Sequence, residues 1–133
     1  MIPELVAEWE SKKNDLRRVW ESRHPSDYKD LVKETIRAIS GATVGYRKLD
    51  PERVTEIDEG DYQGTLVYVI GETGYQPSTY WAVLVSYGSC SGCDTLQLIR
   101  EYGDDTPRED QVDQYMTLCL HVVQKIRNIG EAV

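Results

Sequence analysis

Apolar residues recur at helical spacing through the first part of the chain, and this pattern predicts two helices. The first apolar stripe comprises Leu5, Trp9, Leu16 and Trp20. The second stripe comprises Tyr28, Leu31, Val32, Ile36 and Ile39. His24-Pro25-Ser26 interrupts the pattern, and we expect Ser26 to be the N-cap of the second helix and Gly41 to end it in a left-handed conformation. So short a break favours an antiparallel helical pair spanning residues 1–41.

From residue 53 onwards the pattern changes to that of strands. Residues 54–57 form a short polar strand candidate, whereas residues 65–70 are β-branched, aromatic and apolar. Residues 79–87 form the strongest strand candidate, and apolar residues occupy both of its alternating faces, which predicts a central position in the sheet. Short connections between these segments predict a three-stranded antiparallel meander, with residues 43–51 as a connector before it.

The C-terminal part predicts one long helix over residues 106–130. Thr106 is the expected N-cap, Pro107 the first helical residue and Glu109 the capping-box partner. Residues 95–102 fit a helix and a strand equally well. The predicted fold class is therefore α+β in one domain, residues 1–133, in which the sheet and the cysteine-containing loop occupy residues 53–103.

Charge narrows the classes of partner. The chain has a net charge of −8, and residues 41–133 carry the whole excess, with seven basic and fifteen acidic side chains. This balance argues against nucleic-acid binding and fits either a solvated surface or an acidic face for a basic partner. No apolar run is long enough to cross a membrane, the start lacks the features of a signal peptide, and three cysteines suit a reducing compartment. We therefore expect a cytoplasmic protein.

The chain's principal motif follows the most apolar strand and contains two of the three cysteines. It reads Tyr87-Gly88-Ser89-Cys90-Ser91-Gly92-Cys93-Asp94. Cys90 and Cys93 are spaced so that they could chelate a metal or form a redox-active disulfide, although no βαβ pattern of a thioredoxin surrounds them. A zinc site needs four ligands, and Cys119 and His121 point to different sides of a predicted helix. Two alternatives therefore stay open. The protein has no cofactor, or it holds zinc at a site within one chain or shared between two copies.

The small residues of the same motif favour a different hypothesis. Gly88 and Gly92 can adopt positive φ, and with Ser89 and Ser91 they would let backbone N–H groups converge on an anion. Asp94 would then cap a following helix. The motif is not a P-loop, because the lysine and the glycine spacing are absent. Its alternatives are therefore an anionic-ligand site and a tight turn with two buried thiols.

Acidic and aromatic residues concentrate around the predicted meander. The turn at residues 58–64 holds Asp58, Glu59 and Asp61 followed by Tyr62 and Gln63, and it fits a cation site or a solvated turn. Tyr75 lies in the loop at residues 71–78, and Tyr87 opens the cysteine motif. Tyrosine is enriched in recognition surfaces because it combines apolar area with a polar tip. We expect the turn, the loop and the cysteine motif to form one contact surface.

Residues 80–97 resemble a family of small bacteriophage-encoded proteins of unknown function. The resemblance rests on the apolar strand that runs into the motif at residues 87–94, and on the acidic residue followed by Tyr-Gln-Gly at residues 61–64. It implies a small acidic protein in the cytoplasm of an infected host cell. It carries over no catalytic residue.

These observations favour a non-enzymatic phage accessory protein that binds a host component, in host takeover or in countering defence. The first alternative is a protein that binds or sequesters a small anionic ligand, such as a nucleotide signal, at residues 88–94. A metal-binding or redox module at Cys90 and Cys93 is the second alternative. The oligomeric state does not follow from the sequence.

Overall fold

A computed structural model describes residues 2–44, 47–58, 65–74, 79–86 and 106–131. The helices are α1 (Pro3–Ser22), α2 (Tyr28–Ile39) and α3 (Glu109–Lys125). The strands are β1 (Leu49–Asp58), β2 (Thr65–Glu72), β3 (Thr79–Ser86) and β4 (Arg127–Glu131). The described residues therefore confirm the predicted α+β class, with two N-terminal helices and a long helix near the C-terminus.

The strands form one antiparallel sheet in the order β1-β2-β3-β4. The prediction of a three-stranded meander was incomplete, because the fourth strand was assigned to the end of the last helix. That helix ends at Lys125, and residues 127–131 pair with the first half of β3. Ile126 is fully buried at the transition, and Asn128 and Gly130 are poor helix formers. Pairing with β3 satisfies backbone groups that the edge of β3 would otherwise expose.

Strand β1 is longer than the predicted segment of residues 54–57. It begins at Leu49, which is fully buried and pairs with Glu72. The register shifts between Leu49 and Val54, and Pro51 lies inside this irregular stretch. Because β1 is an edge strand, a proline without an N–H donor is tolerated there.

The helix boundaries also differ from the predictions in detail. Asp27, and not Ser26, caps α2, because its carboxylate accepts the backbone N–H of Asp30 at 2.7 Å. The last helix begins two residues after Pro107, and its cap is Arg108, whose backbone N–H donates to Gln111 at 2.8 Å. Gly41 is not left-handed; a Cβ there would meet only the end of the flexible Glu8 side chain, which can move aside.

The core lies between the helices and one face of the sheet. Among the strands, α2 contacts β1 and α3 contacts β3, while α1 packs against both of these helices. The largest fully buried side chains are Trp20, Trp81, Tyr68 and Tyr115. Cys119 is buried on the apolar stripe of α3, as its spacing predicts. Within the described ranges, no helix is long and apolar enough to span a bilayer.

Candidate binding surface

The two faces of the sheet differ in how they are covered. Leu66, Tyr68 and Ile70 of β2 are buried, as are Trp81 and Val83 of β3, and all of them join the core beneath the helices. Residues of a strand alternate between faces, so the residues between them point away from the helices. No element in the described parts of the chain packs across that second face.

We define the open face as the outward positions of the sheet. It consists of Thr55, Ile57, Val67, Val69, Tyr80, Ala82, Leu84 and Arg127. Leu84 is 56% exposed and Ile57 is 40% exposed, whereas Val67 between them, and Val69 two residues further along β2, are half-buried. Leu84 pairs with Val67, which in turn pairs with Ile57. An apolar row therefore crosses three neighbouring strands in contact with solvent.

The open face carries a positive charge on an acidic protein. Arg127 is exposed, pairs with Ala82 and forms no ion pair with any residue that the structure describes. Arg53 on β1 is instead engaged, because its guanidinium donates to the backbone carbonyls of Glu72 and Gly74 and lies near Asp50. Among the described residues of this face, Arg127 is therefore the cation available to a partner.

A groove lies beside the open face, between α2, α3 and the end of β3. We call it the β3 groove, and its volume is about 220 Å³. Its lining comprises Tyr28, Leu31, Leu84, Val85, Leu118, His121, Val122 and Lys125. The residues from α3 lie three or four positions apart, so they form one helical face. Leu31 and Val122 are buried at the floor, while His121 and Lys125 are exposed at the rim.

The β3 groove reaches round a strand edge that no described residue pairs with. The pairing of β3 with β4 stops at Ala82 and Arg127, whereas β3 continues to Ser86. Residues 83–86 pair with β2 on one side, and no described residue pairs with them on the other. Leu84 and Val85 project to opposite faces of the sheet, yet both line the groove. The groove therefore includes backbone at the unpaired edge of β3.

The residues singled out from the sequence lie almost entirely outside the described residues. These are Asp61, Tyr62, Gln63, Tyr75, Tyr87, Gly88, Ser89, Cys90, Ser91, Gly92, Cys93 and Asp94. The backbone of Asp58 is described, and it ends β1 opposite Leu66. Thr65 pairs with Ser86, so the ends of β1 and β3 and the start of β2 lie at one end of the sheet. The end of β2 and the start of β3, which flank residues 75–78, lie at the other end.

A polar cluster inside the helical layer serves packing. Nδ1 of His24 lies 2.6 Å from the Tyr115 hydroxyl, and Tyr115 packs against Trp20 with ring centroids 6.2 Å apart. Burial raises the pKa of the nearby Cys119 thiol to about 12, although Thr35 and Trp20 act in the opposite direction. A thiol so protonated and enclosed is a poor nucleophile. This cluster is therefore a structural element of the core.

A second polar contact links β2 to the edge strand β1. The Tyr68 hydroxyl donates to the Glu56 carboxylate at 2.7 Å, across a directly opposed pair of β1 and β2. Burial and this carboxylate together raise the pKa of Tyr68 well above its ordinary value. Tyr68 therefore stays neutral and acts as the donor of this hydrogen bond. In the ranges covered by the structure, no group of His, Cys, Asp and Glu side chains could hold a metal ion.

The open face and the β3 groove were missed by reasoning from the sequence. Apolar residues on both faces of residues 79–87 predicted a central strand, and β3 is one, but they did not reveal that the described elements cover only one face of the sheet. The groove depends on where β4 stops, and β4 itself was not predicted. Comparisons with protein-family models, with curated proteins and with solved structures find no match to this chain.

Proposed function

We propose that this protein is a non-enzymatic binding protein that contacts a partner protein through the open face of its sheet. The observation that carries the proposal is the apolar row from Ile57 through Val67 to Leu84, which the described elements leave in contact with solvent. Contiguous exposed apolar surface on a soluble domain marks an interaction site, because its burial against a partner is favourable.

The charges indicate the chemistry of the partner. A net charge of −8 disfavours nucleic acid, whose binding relies on neutralised phosphates. The exposed Arg127 at the border of the apolar row favours a protein surface with apolar residues beside a carboxylate. The bacteriophage origin implied by the cysteine motif makes a protein of the bacterial host the expected partner, and the host cytoplasm the expected location.

The experiment that tests the proposal uses one charged substitution on the open face and one elsewhere. A host protein is captured on immobilised wild-type protein, purified, and titrated calorimetrically against wild type, Ile57→Asp and Ser11→Asp. Ser11 is exposed on α1, so the control introduces the same charge on the other side of the molecule. We expect Ile57→Asp to weaken binding about tenfold or more, which corresponds to about 1.4 kcal/mol, and Ser11→Asp to leave it unchanged.

Thermal unfolding of both variants separates lost binding from lost folding. Ile57 is partly exposed, so its substitution should leave a cooperative transition in place. An Ile57→Asp variant that folds and binds the partner as tightly as wild type would show that the open face is not the binding surface.

A further inference from the structure

We infer that the β3 groove binds an extended peptide segment that adds a short strand to the free edge of β3. The inference rests on the proposed function in one respect, which is that the occupant of the groove is part of a protein. It concerns a site that adjoins the apolar row of the open face and shares Leu84 with it. Its three supports are the unpaired edge, the apolar floor and the cationic rim.

The unpaired edge supplies backbone recognition. Residues 83–86 continue β3 beyond the last pair with β4, and they have no strand partner on that side within the described ranges. Alternate residues of such a segment direct their N–H and C=O groups sideways, towards the position of a neighbouring strand. Four residues extend over about 13 Å at about 3.3 Å per residue. A peptide of similar length can therefore form main-chain hydrogen bonds there, as in strand addition to a sheet edge.

The floor of the groove supplies a place for apolar side chains. Leu31 and Val122 are buried beneath it, and Val85 and Leu118 are half-buried at its sides. A cavity of about 220 Å³ has room for one or two aliphatic side chains of a docked strand. In strand addition, pockets for alternate side chains provide the specificity that the backbone contacts lack.

The rim determines the preferred charge of the peptide. His121 and Lys125 are exposed four residues apart on α3, and no acidic side chain among the described residues lines the groove. On a protein with a net charge of −8, this is a local site for an anion. A carboxylate that flanks the apolar residues of the peptide would lie beside the Lys125 ammonium group and within reach of the His121 ring. The occupant is therefore an extended segment with an aliphatic centre and acidic flanks.

The test is an NMR titration with four capped pentapeptides that share the centre Val-Ile-Val. Glutamate, glutamine or lysine flanks the centre in three of them, and the fourth has glutamate flanks and N-methylated central amides. We expect saturable shifts of the Leu84 and Val85 amides with the glutamate peptide. Binding should weaken about fivefold or more with lysine flanks, with N-methylation, and in the Lys125→Glu variant. Lys12→Glu, the same change on an exposed position of α1, should bind as wild type does.

Several results would overturn the inference. Equal affinity for the glutamate and lysine peptides would show that the charged rim does not contribute to binding. Equal affinity after N-methylation would show that the peptide does not pair with the strand edge. Shifts centred on Val67 and Val69 would show that the peptide binds the open face instead. The lack of any saturable shift would show that the groove does not bind such a peptide. A wild-type dimer that dissociates on Lys125→Glu would assign the groove to a second copy. Because the titration uses no host protein, its failure leaves the Ile57→Asp experiment unaffected, and the reverse also holds.

Discussion

Nδ1 of His24 lies 2.6 Å from the hydroxyl of Tyr115, and this buried hydrogen bond joins the segment after α1 to the middle of α3. We expect Tyr115→Phe to lower the free energy of unfolding by about 1–3 kcal/mol, because the ring nitrogen loses a partner that water cannot replace. Urea unfolding measures the difference. Tyr80→Phe is the matched control, since the Tyr80 hydroxyl makes no hydrogen bond to a described residue. Equal stability of both variants would show that the bond contributes nothing.

The pKa of Asp30 produces a pH-dependent stability. Burial alone raises the pKa of this carboxyl, but the Arg23 guanidinium and the backbone N–H of Ser26 together bring it below its ordinary value. A depressed folded-state pKa adds stability above the unfolded value of about 3.9, and that stability is lost as the pH falls through the folded-state pKa. Asp30→Asn should therefore destabilise the protein more at about pH 7 than at about pH 3.

Urea unfolding of wild type and Asp30→Asn at both pH values provides the measurement. Asp15→Asn is the control, because Asp15 forms an exposed pair with Arg18 that contributes little at either pH. A penalty for Asp30→Asn that is the same at both pH values would contradict the assignment of the depressed pKa.

The burial of Cys119 predicts how the thiols react. Its pKa of about 12 leaves almost no thiolate near neutral pH, and the side chain has no exposed surface. In a Cys90→Ser/Cys93→Ser variant we expect no reaction with a thiol reagent such as DTNB in the folded state, and one reactive thiol in denaturant. Because burial raises this pKa above the unfolded value of about 8.5, stability should fall as the pH rises from there towards 12. Rapid labelling of the folded variant would show that Cys119 is not buried in the core.

Two isoleucines near the C-terminus distinguish a strand from a continued helix. Ile126 is fully buried, whereas Ile129 on β4 is 56% exposed. Ile126→Ala should lower the free energy of unfolding by about 2–5 kcal/mol, and Ile129→Ala by about 0.5 kcal/mol or less. On a continued helix the two side chains would share one face, and both changes would then be comparably destabilising. Urea unfolding of the two variants separates these outcomes.

The helices could be predicted from the sequence because their signals are local. The buried residues of α1, Leu5, Trp9, Leu16 and Trp20, are the ones that helical spacing selects. Cap residues were less predictable, because Ser26 and Asp27 are both good N-caps and only the Asp30 backbone N–H decides between them.

Strand β4 and the candidate surfaces could not be predicted, for a shared reason. A five-residue strand is stabilised mainly by its partner, and the partner of Arg127 is Ala82, which is distant in sequence. Whether the face that carries Val67 and Leu84 is covered depends on where the helices pack, and alternation cannot reveal it. The cysteine motif could be recognised from the sequence, but its residues lie outside the described part of the chain.

The most direct test of the proposed binding surface is methyl NMR of the protein bound to its captured host partner. We expect binding to shift the methyl signals of Ile57, Val67, Val69 and Leu84, while those of Val6 and Val19, which lie on α1, keep their positions. Shifts confined to α1, with the methyl groups of the open face unchanged, would contradict the proposed binding surface.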